Sequence, residues 1–392
     1  MSTAKLLNST TENGKKFFLQ FGGQGSPYLK EVSKLYKEEP LLKEFFEVAF
    51  ATLNKIETEV GKSDILISEG LDLKSWIENP DSAPSDDYQI RGSVSVAMIF
   101  ITQAANYHLM TLKGFPVDKL TAATAGVTGH SQGIIGGALA AVAKDGKDFY
   151  KTFADFLSFT FYLGYRAQEK YPIFEVEKAV IDGNAEIGDK NPSPMVAVIG
   201  YSKEELEARV DAANKDLSLS GQDKLSISLY NTPDSMIISA KPSSLLAFRK
   251  KYKSEMDERK AKFVYLRTTA PFHCPFMEGT WEKFEVDLKT KVHFPYTVAD
   301  LKLPLFSIFD GRQIGSSENL AEVLFKEIVI KALHWDKAVG ALFTNASIAT
   351  VIDCGPSVVT SKLTGGQLTS KNLTTQVLCL SNNKDLKVIF EA

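Results

Sequence analysis

Short apolar runs alternate with amphipathic stretches along most of the chain. Lys16-Phe17-Phe18-Leu19-Gln20-Phe21 has the length and continuity of a buried strand, and it ends in the glycine-rich turn Gly22-Gly23-Gln24-Gly25-Ser26. Helical patterns follow over residues 29–56. A polar, proline-bearing loop around residues 80–88 leads to an apolar helix at 93–112. Residues 122–128 are small and β-branched and predict a strand, and the small-residue run 134–141 predicts a helix directly after it. Phe149, Phe153, Phe156 and Leu163 share one face of a long helix over 147–170. Residues 173–194 have no clear period and contain Gly183, Gly188, Pro192 and Pro194, which predicts a linker.

Beyond residue 194 the pattern changes. A strand at 195–200 precedes a helix at 202–214 that opens with the capping pair Ser202 and Glu205. Strands at 225–230 and 235–240 flank the turn Asn231-Thr232-Pro233-Asp234, then a helix at 242–256 and a strand at 262–267 complete the unit. The order β-α-β-β-α-β is that of a ferredoxin-like unit. The expected fold is α/β: a large α/β-hydrolase-like domain, residues 1–194 and 267–392, carrying an inserted ferredoxin-like subdomain, residues 195–266. A cleft between the two is the natural place for substrate.

Composition narrows the function. With 392 residues and 44% hydrophobic content the chain can bury a full core, and its length alone suggests two or three domains. A net charge of −3 without a long Lys/Arg tract argues against nucleic acid. The polar first 16 residues and the lack of any run of roughly 20 apolar residues argue against a membrane partner and predict a cytoplasmic location. Cys274, Cys354 and Cys379 are too scattered for a disulfide framework or a metal site, so no metal is expected.

The chemistry concentrates at Gly129-His130-Ser131-Gln132-Gly133, a G-x-S-x-G sequence between the predicted strand and helix. Such a nucleophile elbow exposes the serine Oγ beside free backbone N–H groups that can hold an oxyanion. The turn at residues 22–26 lacks the Gly-Lys-Ser/Thr ending of a phosphate loop, which excludes nucleotide binding there. Five histidines are available as a general base. His130 adjoins the serine and should point away from it. His108 and His293 read as ordinary core or surface residues, and His334 falls in a helical context. His273, on the loop Ala270-Pro271-Phe272-His273-Cys274 at the edge of the expected cleft, is the candidate base for Ser131.

Several motifs in order resemble the acyl-CoA:acyl-carrier-protein transacylase family, in particular the acetyltransferase domain of fungal type I fatty acid synthase and starter-unit transacylases. They are Phe21-Gly22-Gly23-Gln24-Gly25, Trp76-x-Glu78-Asn79-Pro80, the Gly-His-Ser-Gln-Gly elbow, Gly164-x-Arg166, Pro271-Phe272-His273, Phe309-Asp310-Gly311 and Asp353-x-Gly355-Pro356. The resemblance implies that Ser131 takes an acyl group from coenzyme A and passes it to the phosphopantetheine thiol of an acyl carrier protein, with His273 as base and no cofactor. It implies an oxyanion hole from the backbone N–H groups of Gln24 and Gln132, and a main-chain carbonyl, aligned with Ile308, that orients His273. Malonyl-specific relatives carry an arginine where this chain has Leu163. That implies a neutral acyl group, acetyl or another short chain, unless Arg166 swings in to bind a carboxylate, in which case the enzyme is a malonyl transacylase of the same mechanism.

Two readings of other classes stand beside it: a serine hydrolase with the triad Ser131, Asp310 and His334, and a non-catalytic scaffold for a carrier protein. The densest cationic cluster, Arg249, Lys250, Lys251 and Lys253 with Arg259, Lys260 and Lys262, is either a carrier-docking face or a solvated helix surface. Arg166 or Arg267 is a candidate for the phosphates of coenzyme A.

Overall fold

A computed structural model describes residues 3–25 and 27–390, which leaves Ser26 outside the described residues. Among the described residues the strands are β1 (Lys16–Phe21), β2 (Thr124–Gly129), β3 (Met195–Ile199), β4 (Ser226–Thr232), β5 (Ser235–Ser239), β6 (Lys262–Tyr265), β7 (Leu333–His334), β8 (Ile348–Asp353) and β9 (Gln376–Cys379). They form two sheets. The first, ordered β2-β1-β8-β9, is parallel throughout, and β1, β2 and β8 are buried along nearly their whole length, as parallel strands between helices are. The second is ordered β6-β3-β5-β4-β7. Its first four strands pair antiparallel in the ferredoxin-like order, and β7 adds to β4 in parallel from the other part of the chain.

Period-two alternation in the second sheet decides what each face does. Val196, Val198, Met236, Ile238 and Phe263 pack into a separate small core under the lobe's own helices. Met195, Ala197, Leu229 and Ile237 point the other way and join the main core, so the sheet closes over the first lobe. In that main core the Gly92–Leu112 helix is buried along nearly its whole length and crosses the Gly146–Lys170 helix closely. A Cβ on Gly164 would lie 2.4 Å from the Gly92 carbonyl oxygen.

The structure departs from the sequence expectations in four places. The expected linker contains the helix Lys178–Glu186, whose Gly183 lies so close to Leu246 that a Cβ there would approach Cδ2 to 2.8 Å. The glycine that signalled a break is instead a contact between helices. The helix expected over 242–256 is two, Pro242–Lys251 and Lys253–Arg259, divided at Tyr252. His334 lies in β7, its N–H held by the carbonyl of Ile308, and the Trp335–Ala338 helix starts only after it. An N-terminal helix, Lys5–Glu12, covers a stretch read only as polar, because it buries just Leu7 and Thr10.

Candidate active site

Glycines shape the turn that carries Ser131. A Cβ on Gly129 would lie 1.9 Å from the carbonyl carbon of Gly133, and one on Gly133 would lie 2.3 Å from the Phe21 carbonyl oxygen. Strand and helix therefore meet closer than any side chain allows. Ser131 takes the left-handed backbone conformation, φ 54°, that a nucleophile elbow requires. The N–H of His130 donates to the Phe21 carbonyl at 2.8 Å, which fixes the turn to the end of β1.

Ser131 Oγ lies 2.7 Å from His273 Nε2. His273 Nδ1 faces the carbonyl of Lys331 at 3.0 Å, which places the ring proton on Nδ1 and leaves Nε2 free to accept the serine hydroxyl proton. The backbone N–H of His273 donates to Val329 at 3.0 Å, and the residue sits at φ 58°. Burial pulls the imidazole down to about 4, against the smaller pull of the Lys331 carbonyl in the other direction.

The orienting carbonyl is thus that of Lys331, and Ile308 does not have this role. Lys331 lies just past Ile330, the C-cap of the Leu320–Val329 helix, and the terminal helix carbonyl of Val329 and the Lys331 carbonyl beyond the cap both serve His273. The Ile308 carbonyl is already taken by the N–H of His334 at 2.8 Å. Its own N–H, with Ser307 Oγ, donates to the buried Glu327 carboxylate at 2.8 and 2.6 Å.

The glycine-rich turn after β1 lies against the elbow, since a Cβ on Gly23 would come within 2.8 Å of the His130 carbonyl oxygen. Gly22 donates to the Gly355 carbonyl at 2.8 Å, which backs the turn with the loop after β8. Gln24 sits in this turn with its side chain bonded to Ser95 Oγ at 2.5 Å. Gln132 precedes the Gly133–Val142 helix, and its carboxamide is turned away to the Val96 carbonyl at 3.0 Å. What both residues present near Ser131 is backbone.

A cavity of about 230 Å³ surrounds Ser131 and His273. Met195, Ala197, Leu229 and Ile237 of the second sheet give it apolar surface, and Val359 and Leu363 line it as well. Asn231 also lines it and accepts from His130 Nε2 at 2.8 Å, which carries His130 away from Ser131 and ties the elbow to the second lobe.

The two residues expected to select the acyl group are not on this wall. Leu163 is fully buried in the main core. Arg166 makes a bidentate pair with the buried Asp287 carboxylate, at 2.6 and 2.8 Å, and a third contact with Glu169 at 2.9 Å. Releasing it would leave the buried Asp287 carboxylate with only the longer 3.6 Å contact to Lys291, so Arg166 is held in place. Arg267 lines the cavity and is 48% exposed, 3.2 Å from Asp86.

The hydrolase triad is not assembled. Asp310 holds Arg312 at 2.9 Å, and the His334 ring stacks on Tyr230 with centroids 4.5 Å apart. The cationic cluster is largely neutralised as well: Arg249 pairs with Asp189 and Asp257, Lys250 with Glu186, Lys251 with Asp216 and Lys253 with Asp257. These are neighbours that long Lys and Arg side chains reach once the helices pack, and they make the cluster a paired surface in place of a free cationic face. Glu327, Asn231 and the Lys331 carbonyl carried no local signal in the sequence. Among the described residues no group of His, Cys, Asp or Glu is arranged to hold a metal, and no helix is long and apolar enough to cross a membrane.

A parallel sheet, a serine elbow and a closing antiparallel lobe define the fold of acyl-carrier-protein transacylases. The solved malonyl transacylase (MCAT) of Streptococcus pneumoniae matches 96% of this chain and 99% of its own, with a TM-score of 0.66 at 20% identity. A type II polyketide synthase malonyl-transacylase, solved in complex with its acyl-carrier protein, matches with a TM-score of 0.68 at 17% identity, over 96% of this chain and 99% of that one. Residues 19–273 match the family described as "Starter unit:ACP transacylase in aflatoxin biosynthesis", and the chain belongs to this family. Among curated proteins it is 26% identical to the fatty acid synthase subunit beta of Saccharomyces cerevisiae, over 91% of this chain and 18% of that one. It is 28% identical to the fatty acid synthase beta subunit aflB of Emericella nidulans, over 90% of this chain and 17% of that one. The chain spans about a fifth of the length of these relatives.

Proposed function

We propose that the protein transfers a neutral acyl group from coenzyme A to the phosphopantetheine thiol of an acyl carrier protein, in fatty acid or polyketide synthesis, through an acyl-enzyme on Ser131. The observation that carries this reading is the 2.7 Å contact between Ser131 Oγ and an imidazole whose Nδ1 proton is fixed on a carbonyl. As Oγ attacks the thioester carbon, His273 Nε2 takes the hydroxyl proton. When the C–S bond breaks the same proton goes to the departing thiolate. The second half-reaction runs in reverse with the carrier's thiol. Backbone N–H groups of Gln24 and Gln132 hold the oxyanion, a contribution of about 3 kcal/mol per donor in such sites. The lobe of residues 195–266 closes the cleft over the substrate.

The preference for a neutral acyl group follows from the cations available. Arg166 is bound to Asp287, and Arg267 stands at the exposed rim, where it suits the phosphates of coenzyme A. Arg267 is the one Lys or Arg among the described residues lining the cavity, and with it engaged by coenzyme A a malonyl carboxylate beside Ser131 would be buried without a partner, which costs several kcal/mol. We expect kcat/KM for acetyl-CoA to exceed that for malonyl-CoA by at least about tenfold, with the label then chased onto a holo carrier protein. A preference for malonyl-CoA by the same factor overturns the neutral-acyl reading. Hydrolysis of the label without transfer overturns the transacylase reading.

A further inference from the structure

Gln103 is fully buried on the Gly92–Leu112 helix, flanked along it by Ile99, Phe100, Ala104 and Ala105. Its carboxamide makes one hydrogen bond: Nε2 donates to the Gly22 carbonyl, and Oε1 has no partner among the described residues. We propose that Gln103 is a positioning residue for acyl transfer, one that sets the turn after β1 so that the Gln24 amide meets the oxyanion. The proposal rests on the Ser131 acyl-enzyme and its backbone oxyanion hole.

A chain of contacts leads from the helix to that donor. The Gly22 peptide group is held on both sides, its N–H on the Gly355 carbonyl at 2.8 Å and its carbonyl on Gln103. The Gly355 side is tied to the same helix, because Asn106 Nδ2 donates to the Cys354 carbonyl at 3.0 Å. Gly23 is then pressed against His130, and Gln24 anchors its carboxamide on Ser95 Oγ, again on this helix. Among the described residues the Gln24 N–H has no backbone acceptor, so its direction is set by the residues around it.

Stability does not account for Gln103. A buried amide oxygen without a partner costs free energy, and an apolar side chain of similar shape carries no such cost. The one bond that Gln103 makes goes to the turn bearing a proposed oxyanion donor. Such a donor acts by being in place before the charge develops, so a small displacement of the turn removes much of its effect. A local cost to stability that serves a site is what functional constraint leaves in a fold.

Gln103→Met keeps the bulk and removes the donor. The test is single-turnover acylation, read by intact mass, with whichever of acetyl-CoA and malonyl-CoA labels the wild type faster. We expect the maximal rate to fall at least about tenfold while the half-saturating acyl-CoA concentration stays within about twofold of wild type, because a misplaced donor weakens binding of the transition state alone. Tm should change little, since the variant loses an unpaired oxygen as well as a bond. A maximal rate within about twofold of wild type, or a loss confined to half-saturation, overturns the proposal. So does a rate that falls only in step with Tm. Gln103→Glu supplies a second reading. At pH 6 burial keeps its carboxyl protonated, the O–H donates to the Gly22 carbonyl, and the maximal rate should return to within about threefold of wild type. A Gln103→Glu protein as slow there as Gln103→Met overturns the assignment. If the wild type labels Ser131 and Gln103→Met matches it, only the positioning role falls. If the wild type takes no label, the acyl-enzyme reading falls with it.

Discussion

Ser131 and His273 both hold left-handed backbone, at φ 54° and φ 58°, but they are kept there by different means. Around Ser131 the constraint is steric: Gly129 and Gly133 let strand and helix approach until no side chain fits between them. Around His273 the constraint is a pair of hydrogen bonds to the end of the Leu320–Val329 helix, one from its N–H and one from its ring. A non-glycine residue in this region costs on the order of 1–3 kcal/mol, and it persists only where the surroundings over-determine it. The elbow is therefore rigid by packing, whereas the histidine is rigid by polar contacts to a segment almost 60 residues away in sequence.

Breaking the steric side has the largest effect. Gly129→Ala forces a Cβ into the Gly133 backbone, and we expect a loss of more than about 4 kcal/mol in stability together with all acylation. A soluble Gly129→Ala protein with a wild-type Tm contradicts the packing account. Ser131→Ala removes the proposed nucleophile and leaves the glycines in place, so we expect acylation to disappear while Tm stays near wild type.

On the polar side, His273→Ala slows both half-reactions by at least about a hundredfold. If His334→Ala were the inactive variant and His273→Ala normal, the triad with Asp310 would be the working one. Glu327→Gln is milder. It disturbs the carboxylate that fixes Ser307 and Ile308 to the Leu320–Val329 helix, and we expect a loss of about 1–3 kcal/mol in stability with at most about a tenfold slower acylation. Equal damage from Glu327→Gln and His273→Ala would make the distinction between holding and reacting untenable.

The smallest effect is a displacement along the pH axis. His273 must be neutral to accept the proton, and burial holds it at about 4. Acylation should stay flat from pH 7 to 5, and a half-loss near the ordinary histidine value of about 6.5 would contradict the buried site. His108 and His130 are pulled down to about 4 as well. With all three lowered, the folded state binds fewer protons than the unfolded chain as pH falls from 6.5 toward 4, and stability declines through that window. Asp353, pushed up to about 6 by burial, opposes the decline, as do Glu327, Asp155 and Asp189, which burial also raises.

The same contrast explains what was legible in the sequence. Steric needs leave local marks: glycines two before and two after Ser131, the Ser202 and Glu205 cap, and the alternation that set the ferredoxin-like strand order. Partners contributed from elsewhere leave none. Lys331 offers a carbonyl that any residue could offer, so the resemblance pointed to Ile308 instead. In the sequence nothing marks Asp287 as the partner that holds Arg166. Gly183 looked like a break because a helix contact and a flexible joint call for the same residue.

The account turns on one bond. Brief incubation with acetyl-CoA, followed by intact mass and peptide mapping, should show one acyl group on Ser131, absent in Ser131→Ala and slow to form in His273→Ala. A label on any other residue, or a Ser131→Ala protein acylated as readily as wild type, would contradict it.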